Sequence, residues 1–161
     1  MEPEIRVSTT VRTHDDPAKV VESVRSIFPD WNPDDTLVRS SFPIRRESRK
    51  IVGSIETMDN LLSILRENRI LDTALDAMAM EADREGTVFR ISRQSAIIGK
   101  ISFVLGSDPL GGVIEISLTG SDIVIWLEQF TWHSGRENVP REVGDELAMS
   151  SSGEASDWFG R

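Results

Sequence analysis

Glu4-Ile5-Arg6-Val7-Ser8-Thr9-Thr10-Val11-Arg12, followed by Asp15-Asp16-Pro17 and a run that closes at Ile27-Phe28-Pro29, is the stretch that decides the fold class. Its first part sets Ile5 and Val7 on one face and polar residues on the other, and it is rich in β-branched side chains, the pattern of a half-buried strand. Asp15 and Asp16 supply capping carboxylates, and Pro17 suits a first helical turn because its missing N–H would have no partner there. Val20, Val21, Val24, Ile27 and Phe28 recur at three-to-four-residue spacing, so a helix follows. Pro29 ends it, since proline disfavours helical backbone in the residue before it.

Working outward, Asp30-Trp31-Asn32-Pro33-Asp34-Asp35 is turn chemistry. Thr36 to Phe42 reads as a second strand, and Lys50 to Glu56 as a third that forms its hairpin partner. A helical pattern then runs from Thr57 to about Glu81, with Leu61, Leu65, Leu71, Leu75 and Met78 on one face and Asn68 intruding; the spacing fits one helix or two. Thr87 to Ile91 reads as a strand, Ser92 to Gly99 as a short helical turn, and Lys100 to Leu105 and Gly112 to Leu118 as further strands. Ser121-Asp122 caps a last helix through Ile123, Trp126, Leu127 and Phe130. The whole predicts an α+β domain over residues 1–132, a mixed, mostly antiparallel sheet with helices packed on one face. Residues 133–161 hold few core-forming side chains and many acids, so they read as an acidic, disordered C-terminal tail.

Composition narrows the chemistry. The 161-residue chain has no cysteine, which excludes disulfides, cysteine-ligated metal and thiol catalysis. No apolar run is long enough to span a bilayer, and the N-terminus lacks the uninterrupted apolar stretch of a secretory signal, so the expectation is a cytoplasmic protein. The 27 acidic against 18 basic residues give a net charge of −9. All basic residues but Lys19, Lys50 and Lys100 are arginine; a lysine-poor acidic surface suits solubility in concentrated salt, a halophilic trait, while an ordinary acidic mesophilic protein is the other reading. Only residues 39–100, with eleven basic and nine acidic side chains, would not repel an anion.

Enzyme patterns are missing. Gly99-Lys100 lacks the upstream glycine and the following Ser or Thr of a phosphate loop, and Gly111-Gly112 has no third glycine. Asp15/Asp16 are accounted for by capping and Asp34/Asp35 by a turn. Asp72 and Asp76, one helical turn apart, read as an exposed face next to Arg69 in preference to a cation site. His14 and His133 form no ligand motif, and no glycine-flanked elbow presents a serine. The expectation is no enzyme, no cofactor and no metal. Anion contacts are the remaining option: Arg45, Arg46, Arg49 and Lys50 in the densest basic run, Arg66 and Arg69 at i and i+3, and Arg93 and Lys100 around the turn after Ile91. The strand at Val88-Phe89-Arg90-Ile91 lacks the alternating aromatics of an RNA-stacking sheet, and Phe89 reads as core.

Three stretches carry a family resemblance: Asn68-Arg69-Ile70-Leu71-Asp72-Thr73-Ala74; Val88 to Ala96 with Ile98-Gly99-Lys100-Ile101-Ser102-Phe103; and Asp108-Pro109-Leu110-Gly111. With the Asp15-Asp16-Pro17 helix and its Ile27-Phe28-Pro29 end, residues 4 to about 130 resemble an archaeal group, uncharacterised protein family 0201. The resemblance implies a fold like that of large-subunit ribosomal protein five, an RNA-binding or ribosome-associated role without catalysis, and a homodimer. The alternative is a regulatory homodimer that binds protein and no nucleic acid.

Overall fold

The computed structural model describes residues 2–33 and 48–141. In chain order the elements are β1 (Glu4–Val11), α1 (Pro17–Ile27), β2 (Arg49–Ile55), α2 (Asp59–Glu67), α3 (Leu71–Ala79), β3 (Gly86–Ser92), α4 (Arg93–Ala96), β4 (Val113–Thr119) and α5 (Ile123–Phe130), then a 3-10 turn at Ser134–Glu137. The strands form one sheet in the order β2-β1-β4-β3, with every neighbouring pair antiparallel among the described residues. The expected α+β class therefore holds. The expected strand over Thr36 to Phe42, and its hairpin with Lys50 to Glu56, lie outside the described residues.

Alternation sets the layers. Ile5, Val7, Val11, Ile51, Ile55, Phe89, Ile91, Ile114, Ile116 and Leu118 are buried on one face of the sheet. Val20, Val24 and Ile27 of α1, Leu61 and Leu65 of α2, Leu75 and Met78 of α3, and Leu127 of α5 join them in a single core. The other face carries Arg6, Ser8, Lys50, Arg90 and Glu115, with Lys50 Nζ 3.1 Å from Glu115 Oε2. Trp31, in the turn after α1, is wholly buried, and its indole N–H donates to the Val7 carbonyl at 2.9 Å. Gly53 makes this possible: a β-carbon there would lie 2.5 Å from the Asn32 carbonyl oxygen and 2.7 Å from Trp31 Nε1.

Asp16 caps α1, its side chain accepting from the Ala18 N–H at 3.0 Å. The 57–81 pattern resolves into two helices, α2 and α3, broken at Asn68-Arg69-Ile70. Arg69 N–H donates to Arg66 O and Ile70 N–H to Leu65 O, both at 3.1 Å, and Arg69 sits at φ 56°. This is the paired-bond C-terminal helix motif that places one residue in left-handed backbone, usually a glycine.

Two local expectations are corrected. Lys100 to Leu105 is not a strand: it meets β3 through a single bridge, Ile91 to Phe103, flanked by Ser92 N–H to Ser102 O and Val104 N–H to Arg90 O. Lys100 N–H is already committed to Ser95 O, closing the turn after α4, so pairing cannot extend toward that end. Asp122 precedes α5 but makes no side-chain cap bond, its backbone being left-handed at φ 54°. The expected tail also begins differently. Residues 133–141 are described, and Arg136 and Arg141 reach back to carboxylates of α3; residues 142–161 lie outside the described residues.

Candidate functional site

The expected phosphate contacts do not gather into one patch. Arg45 and Arg46 lie outside the described residues. Arg49 stands exposed at the head of β2 opposite Val11, and Lys50 is paired with Glu115. Lys100 is exposed on the turn after α4, apart from the others.

Arg93 is removed from the list of contacts by its own hydrogen bonds. Strand alternation ends at Ser92, whose hydroxyl accepts from Ser95 N–H, and the resulting helical turn directs Arg93 inward. Its guanidinium donates from Nε to Gly111 O at 3.0 Å, from Nη1 to Thr9 Oγ1 at 2.9 Å and Thr10 O at 2.7 Å, and from Nη2 to Asp15 Oδ2 at 3.0 Å. With its side chain 6% exposed, it clamps β1, the loop before β4 and the turn before α1 together; Asp15, expected as a capping carboxylate, serves this clamp while Asp16 alone caps the helix. Burial pushes the Asp15 carboxyl up, but the Arg12 backbone N–H and the Arg93 guanidinium outweigh it and hold it below the ordinary aspartate value.

Arg66 and Arg69 do come together. They line a cavity of about 650 Å³ with Leu71, Asp72, Thr73, Trp132, His133 and Ser134. Volumes of roughly 300–1,000 Å³ are usual for sites that take small molecules. Neither arginine side chain has a hydrogen bond or ion pair among the described residues. Both are exposed, and Trp132 offers a ring that is 51% exposed.

One wall is locked by the segment after α5. His133 Nδ1 accepts from Gly135 N–H at 3.2 Å, so Nε2 carries the proton and donates to Asp72 Oδ1 at 2.9 Å. Arg136 donates from Nε to the same oxygen at 2.9 Å and spends its other nitrogens on Glu128 O and Thr131 Oγ1. Burial raises the Asp72 carboxyl, yet the bonds from His133 and Arg136 win and hold it below its usual range. Arg141 grips Asp76 with Nη2 at 2.6 and 2.8 Å, both side chains being buried. The exposed acidic face expected at Asp72 and Asp76 is thus corrected: it is the anchor of this segment.

The cavity therefore presents two guanidinium groups unpaired among the described residues, one flat apolar surface and a histidine whose nitrogens are both occupied. It can hold an anion beside a planar group, and no proton donor or acceptor on His133 is free for chemistry. Among the described residues no cluster of acids and histidines could hold a metal ion. The sequence pointed to Arg66 and Arg69 by their i, i+3 spacing. Trp132 was missed because aromatic platforms were sought on strands, and this one follows a helix.

The structure defines an α+β protein with an arginine-lined cavity between a helix junction and a C-terminal strap. No family model matches the chain. A UPF0201 protein of Methanothermobacter thermautotrophicus is 26% identical over 143 residues, covering 88% of this chain and 98% of its own. A UPF0200/UPF0201 protein of Archaeoglobus fulgidus is 26% identical over 100 residues, which is 62% of this chain and 28% of that protein. In structure, the UPF0201 protein from Methanococcus jannaschii is similar with a TM-score of 0.65 and 23% identity over 80% of this chain and 99% of that one. A second UPF0201 crystal structure gives 0.63 and 22% over 78% and 90%. The chain is thus similar to UPF0201 proteins of archaea, in sequence over 88% of its length and in fold over 80%.

Proposed function

We propose that the protein is a non-catalytic RNA-associated binding module that engages RNA through the Arg66, Arg69 and Trp132 cavity. One observation carries the reading: in a chain of net charge −9, two arginines without partners among the described residues share a cavity with a half-exposed indole. Guanidinium groups match phosphate geometry, and an aromatic face stacks any base, which is how single-stranded nucleic acid is held without sequence readout. Binding that rests on phosphate contacts weakens as salt rises, with a slope set by how many contacts are made. Retention of total RNA by the full-length protein, followed across salt concentrations, tests it. Replacing Arg66 and Arg69 together by Gln should lower retention and flatten the salt dependence, by about one slope unit per lost phosphate contact. Equal retention by wild type and variant, or none by either, removes the proposal.

A second reading, a protein-binding homodimer, draws on a separate surface. Ile98 and Leu110 are 68% and 96% exposed, and Ile97 and Leu110 line the hollow beside α1. Sedimentation of wild type against an Ile98→Asp, Leu110→Asp variant tests it: a dimer that the variant abolishes supports it, and a monomeric wild type rejects it.

A further inference from the structure

We infer that the cavity between the α2–α3 junction and Trp132 takes a single unpaired nucleotide carrying one phosphate, with the base against Trp132 and the phosphate on Arg66 and Arg69. The inference rests on the RNA reading in using the same cavity, and it adds the chemical unit recognised. Three observations lead to it.

The first is charge. Asp72 also lines the cavity, but its carboxylate is held by His133 and Arg136, with Arg141 Nη1 3.9 Å from the second oxygen. What remains uncompensated among the described residues is two guanidinium groups, the complement of one phosphate dianion. A triphosphate would bring charge that nothing else in the lining matches.

The second is shape. The volume of about 650 Å³ is that of a small-molecule site, with one flat indole instead of the row of aromatics that would track several successive bases. Locked at both ring nitrogens, His133 adds a rigid wall beside Trp132.

The third is backbone. Arg69 is one of two non-glycine residues with positive φ among the described residues, and it occupies the position that glycine fills at little cost. Left-handed backbone costs an arginine about 1–2 kcal/mol. Strain of this kind gathers at ligand sites, where the residue is kept for what its side chain does. Here the strained residue directs a partnerless guanidinium to the cavity.

Tryptophan fluorescence and calorimetry on the full-length protein provide the test, with adenosine monophosphate, uridine monophosphate, adenosine, inorganic phosphate and adenosine triphosphate as probes. The expected result is binding of both monophosphates, adenosine and phosphate each at least tenfold weaker than adenosine monophosphate, and the triphosphate no tighter. Trp132→Leu and Arg66→Gln should each weaken the monophosphates about tenfold. Because Trp132 and Arg66 are exposed, both variants should melt like the wild type. Phosphate binding as tightly as the nucleotide would reduce the cavity to an anion site and overturn the inference, as would monophosphate binding unaffected by Trp132→Leu. Retention of RNA without binding of any mononucleotide overturns it too, while leaving the RNA reading in place; failure of both assays sinks both.

Discussion

Arg69→Gly should make the protein more stable while costing it ligand. Arg69 sits at φ 56°, held there by the two bonds that close α2. Left-handed backbone is worth about 1–2 kcal/mol against an L-residue, and glycine avoids that penalty. Glycine also loses more freedom on folding, about 0.5–1 kcal/mol, so the net gain is about 0.5–1 kcal/mol. For a chain of this length that corresponds to roughly 1–4 °C in Tm. Arg69→Ala is the paired control. It removes the same charge and side chain but keeps the penalty, so charge effects cancel in the Gly-minus-Ala difference. Equilibrium urea unfolding of wild type and both variants, with m compared to confirm the same transition, measures that difference. Glycine should exceed alanine by about 0.5–1 kcal/mol, and both should lose affinity for adenosine monophosphate equally. Equal stability of the two variants would refute the claim that Arg69 is strained.

Gly53→Ala should destabilise by about 1–3 kcal/mol, as overpacking does, because its β-carbon meets the Asn32 carbonyl and the Trp31 indole; chemical denaturation checks this. Arg93→Ala should cost about 3–5 kcal/mol by leaving Asp15 buried beside a lost partner, whereas Arg66→Gln should lie within about 0.5 kcal/mol of wild type in the same denaturation series. Lowering the pH should also destabilise the fold. Asp15 and Asp72 both titrate lower folded than unfolded, so their contribution is complete above the unfolded value of about 3.9 and is lost as pH falls through the folded values. Unfolding followed from pH 6 to pH 2 should show the decline only below about pH 5, and shallower in Asp15→Asn than in wild type.

The local elements were legible because each is written in consecutive residues. The alternation of Ile5 and Val7, the Asp16 cap and the Ser92 turn all appear where spacing and chemistry put them. Legibility fails where the deciding partner is distant in sequence. Arg93 reads as one of a cationic group with Lys100, yet Thr9, Thr10 and Asp15 turn it into a buried clamp. Asp72 and Asp76 read as a solvated helix face because Arg136 and Arg141, which neutralise them, come some sixty residues later. Residues 100–105 have the composition of a strand, but a bond inside the preceding turn consumes Lys100 N–H, and what remains covers the edge of β3, with Phe103 against Phe89 at 6.1 Å. Of the site itself, spacing gave the arginine pair. Its aromatic partner and its locked wall depend on how the segment after α5 folds back on α3.

That fold-back gives the cavity its character. In an acidic chain an arginine finds a carboxylate easily, and the buried ones here do: Arg93 with Asp15, Arg136 with Asp72, Arg141 with Asp76. Without the Arg136 pair, Asp72 would stand as a bare anion in the lining of the cavity it shares with Arg66 and Arg69, available to neutralise them. The strap between His133 and Arg141 therefore does two things with one set of ion pairs. It fastens the segment after α5 to α3, and by occupying those carboxylates it leaves Arg66 and Arg69 without a partner among the described residues. Loosening the strap should thus weaken ligand binding through charge alone, even with every lining residue intact. Arg136→Gln, which releases Asp72 while keeping hydrogen-bonding capacity, should reduce affinity for adenosine monophosphate most at low salt, where the freed carboxylate is least screened. A loss that is independent of ionic strength would show that the strap shapes the cavity and does not set its charge.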